Sequence, residues 1–185
     1  MRASLPSRAL TIVALVSIAL WMGGMIALGA IVAPVIFGTV PSPLSADAMT
    51  VVFRRFDKVA IACAVTILLT EVGQAIVRKP LLRIDIARAA VSVVGAALVM
   101  ETALSISPTI EALHRAGAIR GLGDLGMQLQ TTHDLAVLCG KAQAIVAIVL
   151  IALHVFGLSE SRKSAGVTTR AEMPTETPAE TQARR

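Results

Sequence analysis

Six polar or ionisable residues interrupt the long apolar stretches of this chain, and they are its candidates for chemistry. The six are Glu71, Gln74, Glu101, His133, Lys141 and His154. An ionisable side chain at the centre of a membrane-spanning helix costs at least about 2.5–3.5 kcal/mol on insertion scales. Such residues either neutralise one another or handle a proton, an ion or a polar solute.

Glu101 and Lys141 lie at matching depth, each about 9–10 Å from the same end of its apolar stretch at the helical rise per residue. Opposite charges at one depth favour a structural ion pair. Two alternatives stay open: two separate side chains that extend to the membrane surface, and a path for protons or ions.

Glu71 begins a second group. Gln74 and Arg78 follow it at i+3 and i+7 and therefore share one helical face. His154 reaches a comparable depth on the last apolar stretch. The pattern predicts a satisfied polar cluster, with half of a proton relay or a metal site as the alternatives.

The histidines do not form a haem site. His133 and His154 are roughly 31 Å apart along one helix, so they cannot ligate one iron within a single chain. His133, with Asp134 or Glu111, is the remaining metal candidate, although hydrogen bonding at the membrane surface is the commoner role of such a histidine. We expect no bound metal and no cofactor.

Sequence motifs of common enzymes are absent. The chain contains no GxSxG, HExxH or GxxxxGK[ST]. Residues 121–126 have the glycine spacing of a dinucleotide-binding loop but follow no strand, so that interpretation is rejected. We expect a protein that is not an enzyme.

The elements that position these residues are membrane helices. Residues 9–37 carry no charge, and their 29 positions would span roughly 44 Å as a helix, more than a hydrocarbon core of about 30 Å. This run is far longer than the apolar part of a signal peptide, which indicates a retained first span. The chain is 55% hydrophobic and 16% charged, so its partner is the lipid bilayer. The net charge of +5 belongs to the flanks of the spans and implies no nucleic acid.

Four spans are predicted, at about residues 9–37, 59–77, 84–107 and 135–158. Residues 45–58 have helical spacing of apolar side chains and predict a short amphipathic helix before the second span. The fold class is therefore all-α: a four-helix membrane bundle over residues 1–158. Residues 159–185 are rich in Thr, Glu and Pro and predict a disordered cytoplasmic tail.

The first span carries a helix-packing pattern. Ala19, Gly23 and Ala27 recur every fourth residue and Gly24 widens the stripe, which allows close approach of another helix. That helix belongs either to the same chain or to a second copy or partner membrane protein. Trp21 lies mid-span and needs an internal partner for its indole N–H, and Pro34 predicts a kink.

Basic residues give the orientation. Eleven Lys and Arg flank the spans on the side of the termini and five on the other side. This bias predicts a multi-pass protein of the cell membrane with both termini in the cytoplasm.

The first span also resembles that of a known family. Trp21, Met22, Gly23, Gly24, Met25, Val32, Ala33, Pro34 and Phe37 form a pattern similar to the opening helix of the transmembrane protein 205-like family. Pro108 after the third span and His133 at the start of the fourth are similar too. The resemblance covers residues 9–158 and implies a four-helix membrane domain without a settled activity. A further similarity, to copper-resistance-type membrane domains, implies that a metal role stays open.

Two function classes follow from these features. The first is a non-enzymatic membrane module that packs with partner helices or with itself. The alternative is a small transporter or permeation element for protons, metal ions or small solutes.

Overall fold

The computed structural model describes residues 5–77 and 81–171, with the side chains of the last helix described as far as Gly157. The described residues form helices joined by short turns and contain no strand. The helices are α1 (Leu5–Ala27), α2 (Ala33–Thr39), α3 (Leu44–Val77), α4 (Arg83–Glu101), α5 (Ser107–Arg115) and α6 (Gly123–Ala171), with π-helical turns at Leu28–Val32 and Thr102–Ile106.

Four continuous rods result, because each π-helical turn joins the two helices beside it. They are Leu5–Thr39, Leu44–Val77, Arg83–Arg115 and the Gly123–Gly157 part of α6, and all four are long and apolar enough to cross a membrane. The predicted all-α, four-span fold class is confirmed. The amphipathic segment before the second span is the first part of α3, with no break between the two.

Both π-helical turns end two residues before a proline. Leu28–Val32 precedes Pro34, and Thr102–Ile106 precedes Pro108. A proline inside a helix lacks an N–H and its ring clashes with the carbonyl four residues earlier, and a locally widened turn relieves that clash. Each rod therefore changes its geometry at the proline and continues as helix.

The apolar core lies where the four rods meet. Its fully buried side chains include Ile18, Trp21, Ile67, Val99 and Leu150, so that every rod contributes at least one. Outside this core the rods present apolar side chains outward, as lipid-facing helices do.

Trp21 has the internal partner that its mid-span position requires. Its Nε1 donates to Gln143 Oε1 at 3.3 Å, and Gln143 Nε2 donates to Thr102 Oγ1 at 2.8 Å and to the Leu98 carbonyl at 3.2 Å. This network joins α1 to α6 and α6 to the end of α4, and it fixes their relative register.

The last helix is longer than the sequence predicts. The backbone of α6 is helical to Ala171, which extends into the segment 159–185 for which the sequence predicts a disordered tail. The segment holds the good helix formers Glu160, Arg162, Lys163 and Ala165 and no proline before Pro174, so an existing helix can propagate through it. Residues 172–185, the rest of the predicted tail, lie outside the described residues.

Candidate functional site

Three helices place a group of charged side chains at one end of the bundle. At this end α1 begins, α3 ends and α4 begins, and we call it the amino-terminal end of the bundle. Glu71 comes from α3, Asp85 and Arg88 from α4, and His154 from α6. All four side chains are buried, with relative exposures between 1% and 7%. We name these four residues the Arg88 cluster.

Arg88 is the centre of the cluster. Its Nε donates to Glu71 Oε1 at 2.8 Å and to Oε2 at 2.9 Å, and its Nη1 lies 3.2 Å from Asp85 Oδ1. Asp85 also accepts the Leu82 backbone N–H at 3.0 Å through Oδ2, which closes the first turn of α4. One guanidinium thus pairs with carboxylates from two helices.

His154 joins the last helix to the same cluster. Its Nδ1 lies 2.8 Å from the Leu150 carbonyl of its own helix, and its Nε2 lies 3.4 Å from Glu71 Oε1. Gly157, one turn further along, lies beside the guanidinium: a Cβ there would be in ordinary van der Waals contact, 3.6 Å from Arg88 Nη1.

Two more buried polar side chains flank the cluster. Gln74 lies one turn from Glu71 and is 1% exposed, and Ser92 lies one turn from Arg88 and is 2% exposed. Among the described residues, neither the Gln74 amide nor the Ser92 hydroxyl has a hydrogen-bond partner. Buried polar groups without partners are uncommon in folded proteins, which marks this end of the core as unusually polar.

An apolar layer separates the cluster from the Trp21–Gln143 network. Ile67 and Leu150 lie one turn beyond Glu71 and His154 toward the opposite end, and both pack in the same core as Ile18. These three side chains are at most 2% exposed. The layer closes the bundle above the cluster.

The structure brings together part of the predicted polar group. Glu71 and His154 are in contact, Gln74 is buried beside them, and Arg78 lies outside the described residues. Asp85 and Arg88 are the members that sequence reasoning missed, because both lie in the first turns of the predicted third span and were not grouped with Glu71. The sequence pattern that could have identified them is the alternating spacing of three and four residues between positions 85, 88, 92, 95 and 99, which marks the buried face of α4.

The expected Glu101–Lys141 ion pair is wrong. Both side chains are exposed, and the ion pairs of the described residues do not join them. Their depths do match, because Gln143 on α6 bonds Leu98 and Thr102 on the third rod. The helical faces differ, since the buried face of the third rod passes through Val99 and Ala103 and that of α6 through Cys139 and Gln143.

Comparison with known proteins identifies a family. Residues 16–118, more than half of the chain, match the family model of a domain of unknown function, DUF4149. The chain belongs to the DUF4149 family. No curated protein and no solved structure matches it. The matched part of this DUF4149 protein holds Glu71, Asp85 and Arg88, while His154 follows it.

The other metal candidate of the DUF4149 protein, His133, lies near the opposite end. Its two proposed co-ligands are engaged elsewhere: Asp134 lies 3.5 Å from Arg120 Nη2 and accepts from Gln130, and Glu111 pairs with Arg54 and Arg115. Within residues 5–77 and 81–157, no group of three His, Cys, Asp or Glu side chains could hold a metal ion.

The small-residue stripe of the first span divides between two faces. A Cβ on Gly24 would overlap the ring of Phe56 in α3, so this glycine serves an internal neighbour. Gly23 has no atom within 4 Å of its Cβ position and is exposed, as is Ala19, while Ala27 is half-buried. The Ala19–Gly23 side of the stripe in this DUF4149 protein therefore faces out of the bundle.

Proposed function

We propose that this protein is a non-enzymatic membrane module that associates with a second copy of itself through the outward face of α1. The observation that carries the proposal is Gly23, a mid-helix glycine with nothing against it. Glycine weakens a helix unless another backbone approaches closely, and in membranes that neighbour is usually another helix.

The first rod is also the least covered of the four. In its most apolar window 17% of the residues are buried, against 39% for the second rod. Its outer part, Leu28–Val32 and α2, contributes no buried residue. In a dimer with a two-fold axis, the same surface of both copies forms the interface. The Ala19–Gly23 face of one copy can therefore pack against the same face of the other.

The Arg88 cluster supports a role without catalysis. Its charged groups are directed at one another, and the surface depressions at residues 37–46 and between α5 and α6 are lined by other residues. An active site instead holds groups that face a space for substrate.

The proposal extends to the placement of the protein in the cell. The Lys and Arg bias supports a multi-pass protein of the cell membrane with both termini in the cytoplasm, which puts the Arg88 cluster near the cytoplasmic surface. The first-span pattern supports membership of the transmembrane protein 205-like group. Labelling of a cysteine at Gly121 from the cytoplasmic side only would contradict this orientation.

Disulfide cross-linking tests the dimer. Cys63 and Cys139, both buried and free, are replaced by Ala, and a single cysteine is placed at Ala19 or Gly23. We expect oxidation in membranes to give a covalent dimer from either position. Ile145→Cys is the matched control, because it lies on the exposed face of α6.

Each outcome decides the proposal. Dimers from the α1 positions but not from Ile145→Cys support it. Equal cross-linking from all three positions indicates random collision and contradicts it. A cross-link to a different membrane protein contradicts self-association and assigns the α1 face to that protein.

The alternative, a permeation element for protons, metal ions or small solutes, has one observation in its favour: the buried charges of the Arg88 cluster. Against a continuous path stands the apolar layer of Ile18, Ile67 and Leu150. Transport would require that layer to open, so it ranks second.

A further inference from the structure

Most polar atoms of the Arg88 cluster have a fixed role as hydrogen-bond donor or acceptor. In the contact between Glu71 and His154, the position of one proton determines whether the contact is attractive. The Arg88 guanidinium only donates and stays charged, and both oxygens of Glu71 accept from it. His154 Nδ1 lies 2.8 Å from the Leu150 carbonyl. Because a carbonyl can only accept, Nδ1 carries a hydrogen and donates it.

The other ring nitrogen of His154 faces a carboxylate. Nε2 lies 3.4 Å from Glu71 Oε1. In a neutral imidazole with its hydrogen on Nδ1, Nε2 is an acceptor, and an ionised carboxylate oxygen is an acceptor too. Two acceptors in this position repel each other. A proton on either atom turns the repulsion into a donor–acceptor contact.

Burial strengthens this preference. Glu71 and His154 are at most 7% exposed, so solvent does not offset the repulsion between the two acceptors. On α1, which packs here with Leu10 against Gly73, the buried polar residues are the uncharged Ser7 and Thr11, and Arg8 is exposed. Arg78 and Lys79 lie outside the described residues.

We propose that the Glu71–His154 contact is a proton-binding site that holds one exchangeable proton between Glu71 Oε1 and His154 Nε2. On release, the bond of the proton to Oε1 or Nε2 breaks and the proton passes to water, with no other reactant. The repulsion that remains weakens the attachment of α6 to α3. A change of pH is thereby converted into a change of helix packing.

Exchange takes place on one side of the membrane. Gln74, buried and with no hydrogen-bond partner for its amide among the described residues, lies one turn nearer the amino-terminal end than Glu71 and extends the polar core in that direction. On the other side Ile67 and Leu150 close the core. The site therefore equilibrates with the aqueous phase at the amino-terminal end.

The pH dependence of unfolding of the full chain in mixed micelles tests the site. A proton that the folded state holds and the unfolded state has lost makes the unfolding constant rise by up to about tenfold per pH unit, and this applies above about pH 6.5, where the unfolded imidazole has released its proton. Glu71→Gln has a neutral amide that can accept from Arg88 and donate to His154, so its dependence should be smaller by one proton. Glu101→Gln, an exposed carboxyl in α4, should behave as the unaltered protein does. Equal slopes for the unaltered protein and Glu71→Gln would overturn the proposal.

A second measurement does not depend on the folding of Glu71→Gln. The chain has three histidines, and replacing His114 and His133 by Asn leaves His154 as the only imidazole. Nitrogen NMR of this variant in lipid should show Nδ1 protonated throughout and an Nε2 resonance that moves with pH while the protein stays folded. A fixed Nε2 resonance over the whole folded range excludes the site.

Discussion

Arg88 is the only cation that contacts both Glu71 and Asp85 in the described part of the chain. Its replacement by Met removes the guanidinium that pairs with the buried Glu71 carboxylate, and breaking a buried pair in this way typically costs about 3–5 kcal/mol. We expect Arg88→Met to lower the free energy of unfolding by that amount in detergent. Arg83→Met, at an exposed position of the same helix, is the control, with an expected change within about 0.5 kcal/mol. Similar losses for both variants would show that the cluster does not stabilise the fold.

For Glu101 and Lys141, in contrast to the Arg88 cluster, we expect no energetic coupling. Because their side chains are exposed on different helices and form no ion pair with each other, the double-mutant cycle of Glu101→Gln and Lys141→Met should give a coupling energy near zero. The measurement is the stability of the four proteins in lipid or detergent. A coupling of about 1 kcal/mol or more would show that the two residues meet after all.

Sequence reasoning gave the correct depth of these residues along the bundle, but not the direction in which their side chains point. Counting residues along a helix gives depth, which is why Glu71 was grouped with His154 and Glu101 with Lys141. Whether two side chains at the same depth meet depends on the rotation of each helix about its own axis. For α4 this rotation can be derived from the sequence only when Ser92, Gly95 and Val99 are considered together with Arg88, because these residues form its buried face.

At the scale of elements, Gly95 sets the distance between α4 and its neighbours. A Cβ at this position would lie 2.9 Å from Val146 Cγ1 and 3.4 Å from Trp21 Cη2. Overpacking of a close-packed core typically costs about 1–3 kcal/mol, and we expect Gly95→Ala to lose stability in this range. The control is Gly140→Ala in α6, where nothing lies within 4 Å of the Cβ. Equal thermal stability of the two variants would contradict the close contact.

The elements were predictable where they depend on local chemistry. The uncharged first span predicted its helix, and Pro34 predicted the irregular point in it, since a proline disturbs its own helix in any context. The third span was predicted to end at residue 107, whereas its rod continues past Pro108 to Arg115. The extension of α6 to Ala171 was not predicted, because low apolar content was taken as a sign of disorder. A helix that already has a long anchored part can continue through polar residues.

At the scale of the whole molecule, the four-rod architecture follows from the bilayer. Backbone polar groups in lipid must be satisfied within each segment, so long uncharged stretches leave helices as the outcome. The arrangement of the rods does not follow in the same way. It depends on contacts distant in sequence, such as Trp21 with Gln143 and Glu71 with Arg88, that only the structure reveals.

The central claim is that the outward face of α1 joins two copies of the chain. The most direct test is the mass of the purified protein in lipid nanodiscs, compared among the unaltered chain, Gly23→Leu and Gly24→Leu. Gly23→Leu should give a monomer of unchanged thermal stability, because this position faces out of the bundle, whereas Gly24→Leu should lower stability by displacing Phe56. A monomeric unaltered protein, or a Gly23→Leu protein that remains a dimer, would contradict the account.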